Sequence, residues 1–324
     1  MRAPRFWGPE GGLAATLLTP LGWLYGAGTS LRLTTGSPWQ APVPVVCVGN
    51  AVAGGAGKTP IALDIARRLA VAGHAPHLLT RGHGGSHAGP LRVDAERQTY
   101  NDVGDEALLL AAAAPTWVAR DRAAGAKAAV ADGAACLIMD DGFQNPGLAK
   151  DLSLLVVDGG YGFGNGRMIP AGPLREPVAA ALARADAVAL LGEDRRGIED
   201  VAGSNGVPVL RAGVVPGPDA AKITGRRVVA FAGIGRPAKF FETLKTAGVE
   251  VLRRHAYSDH YPYAAEEINA ILTEAEHLDA VAVTTAKDHV RLPQAYRDRV
   301  RVLTIGIEWE DEAALDALLA QPFG

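Results

Sequence analysis

The 324-residue sequence has two cysteines, Cys47 and Cys136, too few for a disulfide framework and without the paired spacing that ligates zinc. Each lies in an apolar run that reads as a buried strand, where a lone thiol is a small core residue. Positive charge is not in excess either. The net charge is −3 and no dense basic stripe occurs, which removes the electrostatic basis for a nucleic-acid partner. No repeat or low-complexity tract stands out beyond a general richness in alanine. The charge-free stretch near the amino terminus, Gly11 to Leu31, is interrupted by five glycines and Pro20, poor material for a transmembrane helix.

That stretch has another character. Leu13, Leu17, Leu21 and Leu24 fall at helical spacing, with Trp23 and Tyr25 near one end and Arg32 just beyond. Such a composition suits a helix lying in a membrane interface. A helix packed on its own domain is the alternative. A cleaved signal peptide does not fit, because no clear small-residue cleavage site follows.

The most informative segment is Val43 to Pro60, VPVVCVGNAVAGGAGKTP. An apolar β-branched run ends in a glycine-rich turn, and Gly57-Lys58-Thr59 opens a helical stretch from Ile61 to Val71. Strand, glycine loop and Lys-Thr at a helix start form a cradle for nucleotide phosphates. In such a cradle the backbone N–H groups of Gly54, Gly55, Ala56 and Gly57 are expected to converge on the anion, with Lys58 neutralising charge and Thr59 able to hold magnesium; a structural turn is the alternative. The strict pattern places a further glycine at position 52, which is Val52 here; Gly49, Gly54 and Gly55 supply the flexibility instead.

Strands and helices then alternate. His77 to Thr80 reads as a strand ending in the loop Arg81 to Gly85; Glu106 to Ala114 and Ala123 to Ala131 read as helices; Ala134 to Met139, Leu152 to Val157 and Ala187 to Leu191 read as strands. This βα alternation predicts an α/β fold with a doubly wound, mostly parallel sheet whose ligands bind at the strands' carboxyl ends. Residues 213–222, rich in Gly, Pro and Ala, read as a linker to a second, smaller α/β unit. The expected organisation is 1–35 as the interface helix, 36–217 as the nucleotide-binding unit and 218–324 as the smaller unit closing over it.

Asp140-Asp141 follows a buried strand downstream of the phosphate loop, where acids hold magnesium directly or through water. Two adjacent carboxylates there are hard to explain as packing; a solvated strand end is the alternative. Asp105, just before a helix, reads on spacing alone as a helix cap, and His260 in a polar loop as a surface residue.

Taken together, GNAVAGGAGKTP, the Arg81-Gly82-x-Gly84 loop, VGDEALLLA, DDGFQ from Asp140 to Gln144, PAGPLREP from Pro170 to Pro177, FAGIGRPAKFF, the DH-Y-P-Y segment from Asp259 and TTAKD from Thr284 resemble the tetraacyldisaccharide 4′-kinase (lipid A 4′-kinase) family of Gram-negative bacteria. The resemblance runs in order from about residue 23 to residue 293. It implies a kinase that uses ATP and Mg2+ to phosphorylate the 4′-hydroxyl of a tetraacylated glucosamine disaccharide 1-phosphate, late in lipid A biosynthesis. It also implies a monomer held peripherally or monotopically at the cytoplasmic face of the inner membrane. By the same resemblance Lys58 and Thr59 hold phosphates and metal, Asp140 and Asp141 serve the magnesium, and Asp105 is a base paired with His260. Arg81, Arg122, Gln144 and Arg175 are then expected near phosphate or substrate.

Asn145 stands where the family usually has histidine, His83 where it has tyrosine and Ala286 where it has glutamate. Two other classes use similar loops: a membrane-associated switch or partitioning ATPase, and a lipid-binding module with a vestigial loop. The first often has a second lysine where Ala53 stands. Intact Lys58 and the carboxylates oppose the second.

Overall fold

A computed structural model describes residues 4–324. Apolar runs set its strands: β1 (Val45–Gly49), β2 (Pro76–Thr80), β3 (Leu91–Arg92), β4 (Thr116–Val118), β5 (Cys136–Asp140), β6 (Leu152–Asp158), β7 (Ala187–Leu191) and β8 (Val209–Pro216). β1, β2, β5, β6 and β7 are buried along their whole length. That pattern requires a parallel sheet covered on both faces, as the βα alternation predicts. Alternate residues feed two cores. Val46, Val48, Ile138 and Leu154 face the helix Lys58–Val71; Cys47, Leu137, Met139 and Leu155 face the helix Arg122–Ala131.

Strands β9 (Arg227–Ala232), β10 (Glu250–Ala256), β11 (Val281–Thr285) and β12 (Arg301–Leu303) form a separate parallel sheet in the order β10-β9-β11-β12. The last strand, β13 (Ile305–Trp309), leaves it. β13 pairs antiparallel with β8, giving a nine-stranded large sheet ordered β13-β8-β7-β6-β1-β5-β2-β4-β3. Trp309 explains the return: its side chain is buried in the large unit's core and its indole donates to Asp64 Oδ2 at 2.8 Å. The helix Glu312–Ala320 buries Leu315 and Leu319 beside it.

Two sequence expectations change accordingly. The stretch 213–222 is not an open linker, because β8 runs through Pro216 and a 3-10 turn follows over Pro218–Lys222. The smaller unit expected over 218–324 gives up its final strand and helix to the large one.

The winding direction reverses around β1, with β5 on one side and β6 on the other, which puts the ligand crevice at the carboxyl ends of these strands. The helix Leu13–Thr35 lies on the large unit through its small residues. A Cβ added at Gly22 would meet the Met168 carbonyl oxygen at 3.0 Å, and one at Gly26 the Met168 side chain at 2.8 Å. Its other face presents Leu13, Leu17, Leu21, Trp23, Leu24 and Leu31 to solvent, Leu17 at 72% exposure. Among the described residues no helix is long and apolar enough to cross a membrane.

Candidate active site

The segment after β1 folds into a loop that leans on a neighbour. Ala53 N–H donates to the Pro173 carbonyl at 2.7 Å and Arg175 N–H to the Ala51 carbonyl at 2.8 Å. Val52, where the strict pattern wants glycine, is buried and bridged to Leu174. Its side chain is useful there, so the glycine is dispensable. Gly57 is not: its φ is +88° and a Cβ would lie 2.3 Å from Leu191 Cδ1. The helix begins directly at Lys58, so its first amides and positive end point into the loop.

Lys58 reaches back across that loop. Its Nζ lies 3.1 Å from Asn50 Oδ1 and 3.5 Å from Asp141 Oδ1. Burial draws its pKa down, with Asp141 opposing. The two adjacent acids have different surroundings. Asp141 faces Lys58 and Arg175, whose Nη1 is 2.7 Å from its Oδ1. Burial pushes its carboxyl up, but Lys58 and Arg175 outweigh it and hold the pKa at about 2. Asp140 is buried; Thr59 Oγ1 donates to its Oδ2 at 3.0 Å, while Oδ1 has no partner. Burial raises its pKa to about 6. An orphaned buried carboxylate oxygen beside a threonine hydroxyl is the donor set a hard divalent cation fits.

Around these lie the arginines. Arg175 Nη1 also contacts Gln144 Oε1 at 3.3 Å, and Gln144 Nε2 donates to the Asn50 carbonyl and to Glu176, both at 2.8 Å. Glu176 is buried and paired with Arg184. Arg122 is buried, donates to the Ala119 carbonyl and leaves Nε without a partner; burial lowers its pKa to about 10. Arg81 is exposed just beyond the end of β2.

The second cluster joins the two units. Asp105 is the first residue of the helix Asp105–Ala111, after a Gly104 cap. Its Oδ1 accepts the Glu106 N–H at 3.1 Å, but the cap position is Gly104 and no side chain caps the helix, so Asp105 is not the cap its spacing suggests. Its Oδ2 faces the smaller unit: His260 Nδ1 at 3.0 Å, Arg291 Nε at 2.9 Å and Lys287 Nζ at 3.8 Å. His260 has φ of +57° and its N–H donates to the Gly233 carbonyl at 3.1 Å; a non-glycine residue in that region is held there by its surroundings. Asp105 is buried, yet its pKa is lowered, because the His260 hydrogen bond, Lys287 and Arg291 overcome the burial. Neighbouring Glu106 moves up, through burial and the Asp105 carboxylate, although Lys287 lies 2.7 Å away. Asp105, Glu106 and His260 place ligand atoms within 4.8 Å of one another. A cation there would meet Lys287 and Arg291, so the cluster suits protons better than metal.

Thus the predicted residues gather in two groups, Lys58, Thr59, Asp140, Asp141, Gln144 and Arg175 in one, and Asp105 with His260 in the other. Sequence reasoning missed Arg291, Lys287, Glu106 and Glu176. The last three sit in the quoted TTAKD, VGDEALLLA and PAGPLREP runs; Arg291 gave no local signal.

A family model described as tetraacyldisaccharide-1-P 4′-kinase (LpxK) matches residues 14–323. The chain belongs to this family. Curated tetraacyldisaccharide 4′-kinases agree end to end: that of Rhodospirillum centenum is 59% identical over 99% of this chain and 96% of its own length, and that of Paramagnetospirillum magneticum 53% identical over 98% of each. The solved structure of LpxK from Aquifex aeolicus, an "apo" form in complex with ATP, superposes with a TM-score of 0.77 at 27% identity, covering 96% of this chain and all of that one. The family and the α/β fold are those the motifs led to.

Proposed function

We infer that this LpxK-family protein transfers the γ-phosphate of ATP to the 4′-hydroxyl of a tetraacylated glucosamine disaccharide 1-phosphate. The observation that carries the reading is the pairing of His260 with Asp105 across the two units, in a chain whose large unit also carries the glycine loop and Lys58 at a helix start. In this reading the amides of Gly54 to Thr59 cradle the phosphates and Lys58 neutralises their charge. Thr59 and Asp140 would hold Mg2+, with Asp141 supporting them while it fixes Lys58 and Arg175. When bound with the nucleotide, magnesium offsets charge on the β- and γ-phosphates. The Asp105–His260 pair takes the hydroxyl proton, the imidazole orienting the carboxylate and sharing the proton. Arg122, with its orphaned Nε, Arg81 and Arg175 neutralise phosphate or disaccharide charge, and Gln144 keeps Arg175 in line.

The exposed leucines and Trp23 of the helix Leu13–Thr35 fit an interfacial membrane contact. We place the protein, as a monomer, on the cytoplasmic face of the inner membrane, where ATP and acylated acceptor meet.

ATP consumption with and without the acylated disaccharide tests the reading. Consumption should depend on the acceptor and vanish in Lys58→Ala, which removes charge with little packing. Acceptor-independent hydrolysis, or normal phosphorylation by folded Lys58→Ala protein, would overturn it.

A further inference from the structure

Arg291 is an unexpected residue in this site. Its side chain is 1% exposed and it lies after the short helix Ala286–His289 of the smaller unit. Its Nη1 donates to the Gly233 carbonyl at 2.9 Å and lies 3.2 Å from Asp288 Oδ1. Asp288 is itself fixed by the Gly233 N–H at 2.8 Å, the Tyr263 hydroxyl at 2.8 Å and the Thr285 hydroxyl at 2.6 Å. The guanidinium is therefore anchored to the ends of β9 and β11. On its remaining edge Nε donates to Asp105 Oδ2 of the large unit at 2.9 Å, while Nη2 lies 2.8 Å from the same oxygen as an ion-pair contact without a hydrogen bond of its own.

The consequence for Asp105 is specific. A buried carboxylate takes up a proton unless a cation faces it. Arginine is the side chain that stays charged under burial and brings donors in a fixed fork. Oδ2 faces Arg291 and His260, while Oδ1 accepts the Glu106 N–H and, as a carboxylate oxygen, keeps capacity for a further proton donor. Lys287, also near, is a flexible point charge turned chiefly to Glu106.

We propose that Arg291 is a positioning residue for phosphoryl transfer: it keeps Asp105 ionised and turned toward the acceptor hydroxyl, and delivers that effect only when the smaller unit is seated. This rests on the Asp105–His260 reading above. The groups facing Asp105 are Glu106 on its own helix, His260 with Asp259 behind it, and Lys287 and Arg291 with Asp288 behind them; the His83 ring stands 6.0 Å from that of His260. Among these Arg291 is the buried, permanently charged one.

The test compares wild type, Arg291→Lys and Arg291→Met in steady-state kinetics across pH. Both variants should lose kcat, on the order of 10- to 100-fold for Lys and more for Met, since small displacements of a positioned group carry such penalties. KM for ATP should hold. The acidic limb of the kcat/KM profile should move to higher pH in the order wild type, Lys, Met, because a carboxylate that loses its cation is protonated more readily. If Met does not fold, Lys keeps charge and approximate volume and decides alone. A lower melting temperature with unchanged kcat and acidic limb overturns the proposal, as does a lower kcat with an unmoved limb. The functional reading is judged separately, by the acceptor dependence of wild-type ATP consumption.

Discussion

Replacing Asp140 by asparagine should stabilise the metal-free protein while stopping catalysis. The side chain is buried, its Oδ1 has no partner, and burial moves its pKa from 3.8 to about 6. The carboxylate is thus held at a cost, of about 3 kcal/mol for a displacement of about two pH units. Asparagine keeps an oxygen that can accept from Thr59 and sheds the charge. Lys58 loses some support in exchange, so a net gain of about 1–2 kcal/mol is the expectation, or a few degrees in melting temperature. The sign with pH follows from the raised value. The folded chain binds the extra proton between pH 3.8 and about 6, so wild-type stability falls as pH rises through that window. The advantage of Asp140→Asn should therefore be full near neutrality and absent near pH 4. Thermal melts in EDTA measure it, and melts with added magnesium should raise wild type and leave the variant unmoved. A variant that melts below wild type at neutral pH without metal would refute the claim that this acid is kept for a cation. Normal turnover would refute its place in the reaction.

Changing Leu17, Trp23 and Leu24 to glutamate should cut co-sedimentation with anionic vesicles without lowering the melting temperature, because those side chains are exposed and the helix is seated through Gly22 and Gly26; unchanged sedimentation would place the contact elsewhere. Asp105→Ala and His260→Ala should each lower kcat severely, and the double variant should be little worse than the poorer single, since groups acting as a unit are non-additive; multiplicative losses in that kinetic cycle would show two independent roles.

What could be read from sequence was what is local. The phosphate loop announces itself because strand, glycines, lysine and helix start are contiguous, and Asp140-Asp141 because acids at the end of an apolar run are out of place. Val52 shows the limit: its departure from the glycine pattern makes sense only once Leu174 stands beside it. The stretch 213–222 shows another. Its glycines and proline suggested slack, whereas a Cβ on Gly217 would come within 2.2 Å of Thr304 Oγ1. There glycine permits a close crossing of two chain segments, a role that resembles flexibility in composition alone. β13 carries its inward pair Ile307 and Trp309, but no local pattern says which sheet an antiparallel strand will join.

The meeting of the two units was the least legible feature, for a reason rooted in its chemistry. Arg236 and Lys239 reach Asp158 at the end of β6, Lys287 reaches Glu106, and Arg291 and His260 reach Asp105. Each of these residues, taken singly, resembles the charged surface of any soluble protein. Val290 adds an apolar contact to the Val103–Leu108 cluster, but ion pairs between units leave no periodic stripe in the sequence. That choice has a functional logic. Ion-paired contacts between units can part and rejoin, while a buried carboxylate left without its arginine pays in ionisation. The chain crosses between units at two neighbouring points, Gly217 and Thr304, where the Gly217 N–H donates to the Thr304 carbonyl at 2.8 Å. Separation of the units would therefore leave the loop before Lys58 untouched and unmake the Asp105–His260 pair, which on the proposed mechanism ties base formation to the seating of the smaller unit.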